Sequence, residues 1–231
     1  MRAEEDIALA ALGPAYHSLD IGETELARKQ AQQSLRRASA SGDRLLEAEA
    51  LLCLSLCDRF ASRFRRCLDA SLRASQLFQA LGVSEREAAA LTTLSYAAGT
   101  LGRNEEAVEA SLLAIRLLDD TDAGSAKVTA LNYLGVAYFW GHSFDEADAA
   151  LDSAVKLAKA CAVGVRAFQP LANLGFAQHF RASTERERTG HLPNLDVLHS
   201  CIGACSGLFD SSHTLAFTPG IRLIGHAMWS T

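Results

Sequence analysis

The residues of this 231-residue chain whose types and spacing could do chemistry are few. His199, Cys201, Cys205 and His213 offer the imidazole and thiolate donors of a zinc site. Their spacing fits neither a C-x-x-C knuckle nor a paired-histidine motif, and Cys201 and Cys205 stand at i, i+4 beside Ile202 and Leu208, as core residues do. No metal is expected there. Asp119, Asp120 and Asp122 crowd acids into one short stretch, but the EF-hand spacing and its closing glutamate are absent, so the stretch reads as a loop. Ser153-Ala154-Val155-Lys156 spells S-x-x-K, a spacing any helix produces, and the partner motifs of that enzyme class are missing. No Gly-rich phosphate loop, H-E-x-x-H or G-x-S-x-G occurs. With no nucleophile, base and orienting group at a recognisable spacing, the chain is expected to be neither an enzyme nor a cofactor binder.

Composition narrows the class further. The chain is 49% hydrophobic, with four prolines and a formal net charge of −5, and it is poor in β-branched residues, which points to an all-α protein. Arginine and lysine are dispersed, so no basic stripe suggests nucleic acid. The start, MRAEEDIALAALG, carries acids too early for a signal peptide, and no run approaches the ~18 apolar residues of a membrane span. A cytoplasmic protein is expected. Cys53, Cys57 and Cys67 lie among Leu and Ala at helical spacing, so they are expected to be free thiols packed as small core residues.

The elements that must carry any function repeat every 40 residues. Leu54, Leu94 and Leu134 form one column; Ala10, Ala50, Ala90 and Ala130 form a second; Ala74, Ala114 and Ala154 a third; and Ala27, Cys67, Ala107 and Ala147 a fourth. Small residues at fixed intervals are what two closely packed helices require. Within one period Leu131, Leu134 and Tyr138 mark one helical face, and Ala147, Leu151, Ala154, Val155 and Ala158 mark another. Gly141-His142-Ser143 breaks the pattern between them, and Asp145-Glu146 supplies the acids that suit a helix start. Each unit is therefore a helix, a tight turn and a helix. Units run from Ile7 to Ser41, Leu45 to Leu81, Ser84 to Leu118 and Ala126 to Lys159, and a fifth begins at Val165. Gly13-Pro14 disturbs the first helix.

Leu131, Leu134-Gly135, Tyr138, Ala147 and Ala154, with Leu91, Leu94-Ser95, Ala98, Ala107 and Ala114 one period earlier, resemble the tetratricopeptide repeat family over residues 6 to 182. The period is longer than the family's usual ~34 residues, the closing proline is missing, and Leu replaces an early aromatic. The resemblance implies a right-handed α-solenoid of helix-turn-helix repeats. It also implies a binding function of the kind found in the sensory or interaction regions of bacterial signalling proteins, ahead of an output domain such as a diguanylate cyclase or a DNA-binding domain. In that family the first helices line a concave face. Carried over column by column, this places Tyr16, Arg59, Phe60, Tyr96, Asn132, Phe139, Trp140, Gln169, Phe176 and His179 on a groove for a peptide, a protein partner or a small-molecule signal. Each aromatic reads equally well as packing between neighbouring units. The carboxylate clamp of some family members needs a Lys, Asn and Arg set that Asn132 and Arg59, far apart in the array, do not make.

Two regions stay open. Arg59, Arg63, Arg65 and Arg66 form either a solvated turn balanced by Glu47, Glu49, Asp58 and Asp69, or a contact for an anion or an acidic peptide. After Arg181 the period fails: Arg181 to Arg188 reads as an inserted loop, and residues 183–231 as a divergent helical continuation. The array (1–182) holds about four and a half repeats by the period of this family. The closing apolar stretch from Pro219 to Trp229 leaves a helix without a partner, which suits either a piece of a longer protein or a homodimer formed through the C-terminal helices.

Overall fold

A computed structural model describes residues 2–119, 121–161 and 168–189. The described elements are all helices: α1 (Arg2–Asp20), α2 (Thr24–Ser41), α3 (Arg44–Phe60), α4 (Phe64–Leu81), α5 (Ser84–Thr100), α6 (Asn104–Leu117), α7 (Gly124–Trp140), α8 (Phe144–Ala160) and α9 (Phe168–Thr189). The second helices start at Thr24, Phe64, Asn104 and Phe144, and the first helices α3, α5 and α7 at Arg44, Ser84 and Gly124, so the period read in the sequence is a helix pair.

The turn inside each pair is set by one left-handed residue per period. Gly22, Ser62, Gly102 and His142 have φ of 83°, 56°, 77° and 63°. After each, the next N–H returns to a carbonyl five residues back: Glu23 to Ser18 at 2.8 Å, Arg63 to Asp58 at 2.8 Å, Arg103 to Ala98 at 2.9 Å and Ser143 to Tyr138 at 2.9 Å. This satisfies a carbonyl that the helix end would otherwise orphan. Gly42 and Gly82 close α2 and α4 in the same way, with φ of 72° and 71°. Ser62 is strained there, because a left-handed L-residue costs about 1–2 kcal/mol. Ser62→Gly relieves that strain against a glycine entropy cost of about 0.5–1 kcal/mol. The expected result is a melting temperature raised by about 1–3 °C; a lower one in a calorimetric scan contradicts the assignment.

Small residues fill the columns where the helices cross. Ala27, Cys67, Ala107 and Ala147 are fully buried, as are Ala74, Ala114 and Ala154 and the run Ala50, Ala90 and Ala130. One crossing differs. A Cβ on Gly135 would meet Leu151 Cγ at 2.5 Å and the Ala147 carbonyl oxygen at 3.2 Å, so Leu151 lies directly on the α7 backbone. At the same two positions, one and two periods earlier, stand Ser95 with Ser111 and Ser55 with Ser71. A glycine and a leucine there share the room that two serines take elsewhere.

The described residues divide into two compact units, one up to Ala97 and one from Ala98 onward, with α5 running through the boundary. The first is built on Leu12, Ala31, Cys53 and Cys57 and on Leu52, Phe78 and Val83. The second is built on Phe139, Leu151, Val155 and Leu174.

Two local expectations are corrected. The helix α1 runs unbroken through Gly13-Pro14, because Leu12, Ala15 and Leu19 bury enough apolar surface to offset one missing N–H. Arg181 to Arg188 is helix, within α9, and not an inserted loop. The exposed Arg181 bridges Asp145 at 2.8 Å and Asp148 at 3.1 Å, and no Gly or Pro interrupts between it and Gly190. Residues 190–231 lie outside the described residues, and with them the His199–His213 cluster and the C-terminal helices proposed for a homodimer. Asp120 lies outside them too, while Asp119 pairs with Lys127 at 2.5 Å.

Candidate functional site

In the first unit the expected groove residues separate into two groups. Arg59, Phe60 and Tyr96 come together: the Arg59 guanidinium carbon lies 5.0 Å from the Phe60 ring centroid and 5.6 Å from that of Tyr96. Phe64, at the start of α4, meets Tyr96 edge-on at 6.1 Å. An arginine flanked by two ring faces keeps its charge while giving up rotamer freedom. Tyr16 is drawn away into a different arrangement. Its hydroxyl donates to Glu49 Oε2 at 3.2 Å and accepts from Arg86 Nη2 at 2.9 Å, while Arg86 Nε donates to Glu49 Oε1 at 2.5 Å. Arg86 Nη2 also reaches Glu49 Oε2. One network thus ties α1, α3 and α5.

Burial dominates the electrostatics of that network. It pushes the Tyr16 hydroxyl well above its ordinary pKa, with Arg86 opposing and Glu49 adding. Burial also works against charge on Arg86, but its hydrogen bonds to Glu49 and its attraction to Tyr16 and Glu49 outweigh that and hold it protonated. Tyr16 acts as a strut. Glu49 and Arg86 were missed in the sequence, although a single acid inside the apolar run Ala48 to Cys57 is a signal of a buried partner.

A second buried pair removes the balance expected at the arginine-rich turn. Glu49 and Asp58 are both buried, at 2% and 4% exposure, so neither is available to a solvated turn. Asp58 is bonded to Arg28 of α2, and Arg63 approaches it at 4.0 Å while pairing with Glu25 at 3.2 Å. Glu47 pairs with Arg73 at 3.6 Å.

Three cysteines are packed in the first unit. Cys53, Cys57 and Cys67 are free and buried. The hydrogen bond that Cys53 donates to Cys57, together with burial, pushes the Cys53 thiol up, the same bond lowers that of Cys57, and burial pushes Cys67 up to about 12. Raised thiols are poor nucleophiles at neutral pH. Among the described residues no group of three or more His, Cys, Asp or Glu is placed to hold a metal ion.

In the second unit the expected residues converge on Phe139. It meets Trp140 at 5.2 Å, Phe176 at 5.6 Å and Phe180 at 5.3 Å, all edge-on, and Phe144 of α8 at 5.7 Å. Phe139 is itself buried, so it belongs to the core beneath the face and not to an open wall. Trp140 and Phe180 are different. They are 56% and 43% exposed although seated against that core. Asn132 is buried, its Oδ1 accepts from Asn173 Nδ2 at 2.9 Å, and its own Nδ2 has no acceptor among the described residues. Gln169 and Phe176 are half-buried on α9, and the side chain of His179 lies outside the described residues. Asn173 and Phe144 were missed: Asn173 stands in the column of Cys53, Thr93 and Tyr133, which repeats no residue type.

Helix pairs of this length, stacked through small-residue columns, resemble several solved structures. No family model matches the sequence, and no curated protein matches it. A Rap protein complexed with competence and sporulation factor superposes with a TM-score of 0.69 at 11% identity, over 85% of this chain and 53% of its own. The chain therefore spans about half of that protein. BtubC from P. vanneervenii gives 0.66 at 16% identity, over 94% of both chains. The TPR-like repeats of a Podosopora anserina kinesin light chain protein give 0.61 at 14%, over 91% of this chain and 97% of that one.

The chain is a TPR-like α-solenoid. Identities this low carry the fold and no function. Within the TPR-like frame, Asn132, Val136 and Trp140 share one face of the first helix α7 by their i, i+4, i+8 spacing, and Asn173, Phe176 and Phe180 share one face of α9. Trp140 lies about 12 Å along the helix from Asn132, the reach of about four extended residues. No described helix is long and apolar enough to cross a membrane.

Proposed function

We propose that this chain is a non-catalytic interaction scaffold that holds an extended peptide, or such a segment of a partner protein, against its first helices. The observation that carries the reading is Trp140: a large aromatic left more than half exposed while seated edge-on against Phe139, which Phe144 and Phe176 in turn pack against. A rigid, half-exposed indole contributes burial at little entropic cost when a ligand covers it, which is the signature of a binding hot spot. The half-buried amide of Asn173, bonded to the buried Asn132, could meet the backbone of a bound segment. The likeness to a Rap protein complexed with a factor supports this reading, as does the resemblance to cytoplasmic bacterial signalling arrays. A small-molecule signal on the same aromatics is the narrower variant.

Ordering such a face changes the packing of adjacent repeats, because each repeat touches mainly its neighbours, and that is how capture would be passed on to an output domain. The test is selection from a displayed random-peptide library on the whole chain and on Trp140→Ala, with helicity checked by circular dichroism. Peptides enriched by the first and lost by the folded second are expected; the same peptides enriched by both would contradict it.

A further inference from the structure

The turn between α3 and α4 carries Arg59, Arg63, Arg65 and Arg66 within eight residues, of which Arg63 pairs with Glu25. Arg65 and Arg66 are exposed and form no ion pair among the described residues. Asp58 is spent on Arg28, and Glu25 is shared with Arg63, which leaves Asp69 as the exposed acid nearby. The repeat makes the excess plain. Forty residues apart, the first turn of each second helix holds Glu25 in α2, Glu105 and Glu106 in α6, and Asp145 and Glu146 in α8, where α4 holds Arg65 and Arg66. Cations at that end oppose the helix dipole. Beside them the Arg59 guanidinium lies over the rings of Phe60 and Tyr96, and Tyr96 is itself met edge-on by Phe64.

We propose that this basic, aromatic-braced corner of the first unit docks a short acidic peptide segment, rich in glutamate or aspartate. Arginine forks match carboxylates in pairs, and a guanidinium fixed by stacking loses less freedom on binding than a free one. The patch is confined to one turn, and the chain carries a net charge of −5, which opposes a long polyanion such as duplex nucleic acid. Phe60, Phe64 and Tyr96 are half-buried against one another and against Arg59, so they offer no protruding anchor to a lipid bilayer. The proposal rests on the scaffold reading in kind but not on the Trp140 face.

Fluorescence anisotropy of labelled hexaglutamate titrated with the whole chain tests it. Wild type and Trp140→Ala should bind alike, with affinity falling as salt rises from ~50 to ~200 mM. Arg65→Glu/Arg66→Glu should lose about tenfold or more in affinity while its melting temperature holds or rises, since acids suit that helix end. Arg36→Glu/Arg37→Glu, an exposed pair on α2 with the same charge change, should bind as wild type does. Equal losses in the two double variants, no binding by wild type, or tighter binding to a duplex oligonucleotide or to phosphatidylserine vesicles would each overturn the proposal. Loss of library selection at Trp140 with hexaglutamate binding intact separates failure of the groove reading from failure of this one.

Discussion

Leu151→Ala should destabilise the fold by about 2–5 kcal/mol and Gly135→Ala by about 1–3 kcal/mol, yet the two together should cost well under their sum. The first opens a cavity in the second unit, where Leu151 is 1% exposed in the cluster around Phe139 and Leu174. The second brings a methyl to 2.5 Å from Leu151 Cγ and 2.9 Å from its Cδ2, so the side chain must move, while the Ala147 carbonyl at 3.2 Å belongs to backbone and yields less. Alanine is the better helix former by about 0.5–1 kcal/mol, which reduces the loss without reversing it. In the double variant each change makes room for the other, as Ser95 with Ser111 do one period earlier. Urea unfolding of the four chains measures this. Additivity within about 0.5 kcal/mol would show that Gly135 and Leu151 do not share the space.

Arg86→Met should cost about 3–5 kcal/mol, because it leaves the Glu49 carboxylate buried without its cation. The Tyr16 hydroxyl loses a donor as well and remains bonded to the same carboxylate. Replacing both partners, Glu49→Leu with Arg86→Met, should recover most of the stability, since an apolar pair avoids the desolvation of a charge. Urea unfolding that gives a deficit below about 1 kcal/mol would mean that Arg86 is not the counter-ion that holds Glu49 in the fold.

The helix pairs were legible because their cause is local and repeated. Alanine columns and a left-handed residue at 22, 62, 102 and 142 fall at one interval, as do first-turn acids in α2, α6 and α8, so the copies support one another. Single events were not. Glu49 with Arg86 and Asp58 with Arg28 are long-range pairings that occur once, and no period announces them. The end of α9 was misread for a related reason: polarity in a repeat array resembles a loop, although no Gly or Pro stands between Arg181 and Thr189 to end the helix. The expected binding face was legible by helix and not by side chain. Spacing placed Phe139 and Trp140 together, but which ring is buried depends on Phe144, Phe176 and Phe180 closing over Phe139. Tyr16 shows the same limit, since a hydroxyl that reaches Glu49 and Arg86 becomes a strut between three helices.

Calorimetric titration of one library-selected peptide into wild type, Trp140→Ala and Lys156→Ala tests the central claim most directly, because Lys156 is exposed on the second helix α8, away from the first-helix aromatics in the repeat pattern. The account predicts an affinity about tenfold or more weaker for Trp140→Ala and unchanged for Lys156→Ala. Equal affinities for all three chains, or a loss confined to Lys156→Ala, would contradict a binding face made by the first helices.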